Sequence, residues 1–194
     1  MGVFMEKNKF ILFDRDGVIN IEKSYLYKIE DFEYESGVIE GLEKLKKLGY
    51  RFLIITNQAG IARGYYTEED YLKLEKFIME DLKNKGIKIE KTYYCPHHPE
   101  GKENYGIECD CRKPNTGNFL KAIEEFQIDV KKSFMIGDRI TDLIPAEKLG
   151  FKTVLVKTGY GMKNISKLAD NGLKSLVVGS ISEFGDFLKE NGAM

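Results

Sequence analysis

The chain carries almost no excess charge. Thirty basic residues meet 31 acidic ones, for a net charge of −1. That argues against a general nucleic-acid or membrane-surface binder, which shows a basic excess. It also lacks any apolar run of the length needed to span a bilayer. Residues 1–9 lack the apolar core of a secretory signal, so a cytoplasmic protein is expected. There is no internal repeat and no low-complexity tract. No heptad or long flat apolar edge points to an obligate dimer, so a monomer is expected. Only three cysteines and two histidines occur, and all five fall between positions 95 and 111.

The length of 194 residues fits one domain with a full core; residues 1–8 are read as a loose N-terminus. Apolar runs and 3.6-residue periods alternate along the chain. Strands are expected over 9–13, 51–56, 91–94, 133–137, 153–156 and 175–178. Helices are expected over 38–48, from Thr67 to the glycine at 86, over 116–126 and 141–149, and at the C-terminus. Thr67 with Asp70 resembles a capping box. The pattern predicts an α/β fold, a three-layer sandwich with a mostly parallel sheet and no separate cap domain. Its longest loops, 20–36 and 95–115, follow strands and are expected to wall the pocket.

The first run, Phe10-Ile11-Leu12-Phe13, ends in Asp14-Arg15-Asp16-Gly17. Two neighbouring carboxylates repel, and a site that keeps them usually binds a metal, moves protons, or both. The bland reading is a polar turn. Two further runs end in polar groups: Phe52 to Ile55 runs into Thr56-Asn57-Gln58, and Phe134 to Ile136 runs into Gly137-Asp138-Arg139 with Asp142 beyond. Ligands of open α/β sheets bind outside the carboxyl ends of parallel strands. Taken singly, Thr56-Asn57 ends a strand, Lys113 is a loop cation and Asp142 an early-helix residue. Together and in order they suit phosphoryl transfer. Asp14 is then the nucleophile, forming an aspartyl-phosphate, and Asp16 the general acid and base. Mg²⁺ suits Asp14, the Asp16 carbonyl and Asp138. Thr56, Lys113 and the Asn57 backbone would hold the phosphoryl oxygens. Asp142 would bond a metal-bound water or hold a cation in place.

Cys95, His97, Cys109 and Cys111 make a closed set for structural Zn²⁺, with His98 as reserve ligand; the alternative is free or redox thiols. Four protein ligands leave no open position, so the zinc would order the loop and place Arg112 and Lys113, not activate water.

These segments, together with the runs CPHHPEG at 95–101 and CDCRKP at 109–114, resemble the haloacid dehalogenase (HAD) phosphatase superfamily, and within it the bacterial heptose-bisphosphate branch. The resemblance extends from about Phe10 to Tyr160. It implies a Mg²⁺-dependent phosphatase that removes the C7 phosphate of a heptose 1,7-bisphosphate for nucleotide-activated heptose synthesis. It also implies that Glu22, Lys23, Ser24 and Tyr25, with Thr56, Asn57, Gln58 and Ala59, line the sugar phosphate, and that Arg63 and Arg112 take part in recognition. The family usually has lysine where this chain has Arg139; a fork is not a point charge, so phosphate placement there is expected to differ. The rival within the superfamily is histidinol-phosphate phosphatase, toward which Gly137-Asp138-Arg139 with Thr141-Asp142 leans. Ile61-Ala62-Arg63-Gly64 and His97-His98-Pro99-Glu100-Gly101 lean away from it. A rival of another class is an inactive zinc-containing binding module, which has no use for an intact acid–base pair.

Overall fold

The computed structural model describes residues 8–192. The expected loose N-terminus lies outside them except for Asn8, which bridges to Ile128.

Strand β1 (Phe10–Phe13) is buried at every position. A run that is apolar without alternation belongs in the middle of a parallel sheet covered on both faces. It lies there, between β2 (Arg51–Asn57) and β4 (Phe134–Gly137). With β3 (Ile89–Cys95), β5 (Lys152–Val156) and β6 (Leu176–Val178) the six-stranded sheet runs β3-β2-β1-β4-β5-β6, and every pairing is parallel. The chain winds outward from β1 in one direction, then returns to add β4 on its other side. The carboxyl ends of β1 and β4 therefore flank the topological switch point, where such sheets open a crevice.

Alternate strand residues feed two cores. Ile11, Phe13, Ile54 and Ile136 pack under α1 (Val38–Lys47), α3 (Glu68–Asn84) and α8 (Ile181–Asn191). Phe10, Leu12, Leu53 and Met135 pack under α4 (Gly117–Phe126), α5 (Ile140–Lys148) and α7 (Lys167–Asp170). Gly41 lets α1 meet α8, since a Cβ there would stand 2.6 Å from the Ser182 nitrogen. Thr67 and Asp70 form both bonds of the capping box.

Three short helices were not expected: α2 (Ala59–Arg63), α6 (Gly161–Asn164) and α7. Each is too short to display a helical period. Strand β3 is longer than the 91–94 expected, because Ile89 and Cys95 also pair with β2, with a shift of register at Glu90. Above α2 sits a third, small cluster of Ile61, Tyr66 and Tyr71, with Tyr27, Tyr94 and Tyr105 packed on it. No helix among the described residues is long and apolar enough to cross a membrane.

Candidate active site

Asp14 leaves the end of β1 nearly buried, at 7 % exposure, and its nitrogen still donates to the Ile136 carbonyl of β4. Lys113, itself 3 % exposed, reaches it from the 95–115 loop: Nζ lies 3.0 Å from Asp14 Oδ1 and 2.7 Å from Asp142 Oδ1, and donates to the Ile55 carbonyl at 2.6 Å. An ammonium has three protons, and these three acceptors use them all. The expected contact of Lys113 with phosphoryl oxygens therefore requires one bond to be exchanged. In its resting state Lys113 orients Asp14, and Asp142 is the carboxylate that holds this cation. Asn57 fixes the lysine backbone from both sides, donating to its carbonyl and accepting from its nitrogen, each at 3.0 Å.

Asp138, at the end of β4, is fully buried; Oδ2 accepts from Tyr160 N at 2.7 Å, while Oδ1 has no hydrogen-bond donor among the described residues and Arg139 Nε stands 3.9 Å from it. Asp14, Asp138 and Asp142 can bring one oxygen each within 4.8 Å of one another. Gly17 makes the room: its φ is +80°, and a Cβ would stand 2.4 Å from Asp138 Oδ2. Hard oxygens gathered in this way, one of them unpartnered, fit Mg²⁺.

The charges explain the titration. Burial raises the pKa of Asp14, Lys113 pulls it back, and Asp142 and Asp16 push it up again, to about 7. Burial, then Asp142 and Asp14, raise Asp138 to about 8. Burial also works against ionised Asp16, but Arg15, Asn20 and Gln58 outweigh it and hold that group below the usual carboxylate range. Burial opposes the Lys113 ammonium too, yet Asp14 and Asp142 lift its pKa. The like-charge repulsion expected of Asp14 and Asp16 thus falls on Asp14, and Asp142 contributes more to it than Asp16 does.

A cavity of about 340 Å³ opens over these groups. Asp14, Asp16, Thr56 and Lys113 form its floor. Glu22, Ser24, Tyr25, Asn57, Gln58, Ala59, Arg63, Arg112 and Arg139 also line it, so both long loops wall the pocket. Lys23 is the exception among the expected substrate contacts. It is exposed and pairs with Glu33, a partner that sequence spacing did not suggest. Gln58 faces the cavity with its side chain already committed: Nε2 donates to Asp16 Oδ2 at 3.0 Å and to Thr56 Oγ1 at 2.9 Å. Thr56 Oγ1, accepting there, keeps its own proton to donate. Arg139 stacks on Tyr160, 3.7 Å from the ring centre, and lies 3.5 Å from Glu22, which ties the 20–36 loop to the end of β4. Tyr160 carried no signal in the sequence, because its role depends on that stacking.

Beside the pocket, one atom each from Cys95, His97, Cys109 and Cys111 falls within 4.8 Å of the others. The sulfurs of Cys95 and Cys109 are 3.5 Å apart, those of Cys109 and Cys111 3.2 Å, and His97 Nδ1 is 3.4 Å from Cys111 Sγ. Ligands 2.3 Å from a tetrahedral zinc stand about 3.8 Å from each other. The set therefore fits zinc, and no disulfide joins the three cysteines. His98 lies outside the set: Arg63 approaches its Nε2 at 3.3 Å, and its Nδ1 accepts from Glu100 N at 3.1 Å.

A HAD-hydrolase-like family model matches residues 110–183. The chain is 42 % identical over 182 residues to a D-glycero-beta-D-manno-heptose-1,7-bisphosphate 7-phosphatase of Pasteurella multocida, covering 93 % of this chain and 97 % of that protein. It is 48 % identical over 156 residues to the alpha-anomer enzyme of Photorhabdus laumondii, covering 79 % and 85 %. The crystal structure of a D,D-heptose 1,7-bisphosphate phosphatase from B. bronchiseptica, complexed with magnesium and phosphate, superposes with a TM-score of 0.82 at 26 % identity, covering 95 % of this chain and 99 % of that one.

Proposed function

This chain belongs to the heptose-1,7-bisphosphate 7-phosphatase family of HAD-like hydrolases, and we propose that it releases the C7 phosphate of D-glycero-D-manno-heptose 1,7-bisphosphate in the cytoplasm, as a monomer. The observation that carries the mechanism is the placement of the two carboxylates leaving β1. Asp14 is held by Lys113 beneath the cavity, while Asp16, two residues on, is turned to Arg15, Asn20 and Gln58.

Asp14 attacks phosphorus, the bond to the C7 oxygen breaks, and an aspartyl-phosphate forms. Asp16 is held ionised in the resting site, so it takes up one proton from solvent as substrate binds and passes that proton to the departing oxygen. It then takes one from the water that attacks the same phosphorus and frees Asp14. Thr56 donates its remaining proton to the phosphoryl oxygens, and the Lys113 charge lies close by. Asp14, Asp138 and the Asp16 carbonyl would hold Mg²⁺, which would neutralise phosphoryl charge. Cys95, His97, Cys109 and Cys111 would hold a structural zinc. Arg63 and Arg112, which also line the cavity, suit the second phosphate of a bisphosphate.

The test is phosphate release with Mg²⁺ on the α and β anomers of heptose 1,7-bisphosphate and on histidinol phosphate. Preference for a heptose anomer is expected, and it also fixes the route that the product enters. Preference for histidinol phosphate overturns the substrate assignment and leaves the chemistry.

The raised carboxylates predict a pH-dependent effect of the metal. Because Asp14 and Asp138 titrate near 7 and 8 when folded, against about 3.9 when unfolded, the metal-free folded chain binds more protons between those values. Its stability is then full below about pH 4 for these groups and falls as the pH rises through 7 to 8. Mg²⁺ held by these carboxylates would relieve that repulsion. The melting temperature of chelated protein should fall from pH 5.5 to 8.5, and added Mg²⁺ should raise it more at the higher pH. An equal Mg²⁺ shift at both values would count against this metal site.

A further inference from the structure

Arg15 is the largest fully buried side chain of the described residues, at 0 % exposure, and it stands between the two aspartates in sequence. Removing a guanidinium from water costs several kcal/mol, and a packed apolar side chain in its place is often as stable or more so. A cation serving stability alone should at least be fully paired. This one is not. Nη2 makes all of its hydrogen bonds, to Asp16 Oδ1 at 2.9 Å, Asp16 Oδ2 at 3.0 Å, the Leu26 carbonyl at 3.3 Å and Gln58 Oε1 at 3.5 Å. Nε and Nη1 find no acceptor among the described residues. The guanidinium carbon instead lies 5.5 Å from the centre of the Tyr71 ring, whose hydroxyl donates to buried Glu75.

Arg15 does not line the cavity, so it does not touch substrate. Asp16 does, with 19 % of its side chain accessible. Asn20 donates to Asp16 Oδ1 at 3.0 Å, and Gln58 to Oδ2 at 3.0 Å. The Gln58 amide is held one way round, since Tyr66 O–H donates to its Oε1 at 2.7 Å. Each Asp16 oxygen thus has its own side-chain donor, and Arg15 bridges the two.

We propose that Arg15 is a positioning residue, which acts on the reaction only by fixing the orientation of the Asp16 carboxylate from behind. This rests on the phosphatase reading above, in which Asp16 moves the protons. Gln58 shares the task and links that carboxylate to Thr56. A carboxylate free to rotate would meet the departing oxygen in a smaller fraction of encounters, so turnover suffers and substrate affinity does not.

The experiment is a double-mutant cycle on phosphate release from heptose 1,7-bisphosphate, with Arg15→Met and Arg15→Lys made alone and with Asp16→Asn. Arg15→Met should lower kcat about 100-fold, the usual cost of a misplaced group, with KM changed less than threefold. Arg15→Lys keeps the charge and loses the fork, and should recover part of the loss. In the Asp16→Asn background neither substitution should cost more than about twofold, because a group that acts through Asp16 has nothing left to act on. Equal losses in both backgrounds, or a raised KM at unchanged kcat, would overturn the proposal alone. Wild-type turnover in Asp16→Asn would defeat the assignment of Asp16, and the proposal with it. If Arg15→Met does not fold, the Arg15→Lys cycle makes the same comparison.

Discussion

Asp14→Asn is expected to lower phosphate release by at least roughly 10⁴-fold, the scale seen when a covalent nucleophile is removed. The amide keeps the shape of the carboxylate and lacks its lone-pair charge, so no aspartyl-phosphate forms. The same change should not weaken the fold. Asp14 is buried with Asp142 and Asp16 near it, and its raised pKa of about 7 marks the cost of ionising it there. A neutral amide removes that repulsion, although Lys113 loses one of its two carboxylate partners. The metal-free variant should therefore melt within a few degrees of the parent, or above it, while turnover is gone. Active sites commonly trade stability for function in this way. Turnover above about one per cent of the parent, on a scale where nucleophile loss costs far more, would place the nucleophile elsewhere.

Cys111→Ala should abolish zinc binding and damage the catalytic centre without touching it. Zinc supplies apparent binding energy of about 10–16 kcal/mol to small zinc modules, and the 95–115 loop holds few apolar side chains of its own. Arg112 and Lys113 follow Cys111 directly. Arg112 is anchored to the zinc loop by its bond to the His97 carbonyl at 3.2 Å, while Lys113 also has the two bonds from Asn57. The damage should therefore fall first on Arg112 and substrate affinity. KM should rise, kcat/KM should fall about 100-fold, as for other displaced groups, and the melting temperature should drop by about 10 °C or more. Metal analysis, kinetics and a melting curve on one preparation check all three. Unchanged kinetics in a zinc-free variant would break the link between the loop and the site.

Much of the site was legible in advance because its signals are local. Apolar runs that end in Asp14, Thr56 and Asp138 mark strands that deliver polar groups at one end. Cys95, His97, Cys109 and Cys111 are ligand types gathered within a short stretch. Thr67 and Asp70 are a capping pair at fixed spacing. Two partner choices were not legible. Lys23 pairs with Glu33 and does not line the cavity, and Gln58, which does line it, also bonds Asp16 and Thr56. Both reflect a choice between partners that are chemically equivalent until the chain is packed. Helix α2 is one turn long, too short for a period to show, yet it carries Arg63 to the cavity.

The sequence by itself determined the alternation of strands and helices and nominated the reacting groups and a ligand set for zinc, since each depends on residue type and short-range spacing. The tertiary structure alone decided three things. It put the switch point between β1 and β4, it turned the three protons of Lys113 toward two carboxylates and a carbonyl, and it buried Arg15 behind Asp16. These depend on contacts between segments distant along the chain, and on the cost of leaving a buried charge unpaired once those segments meet. No local period in the sequence encodes either.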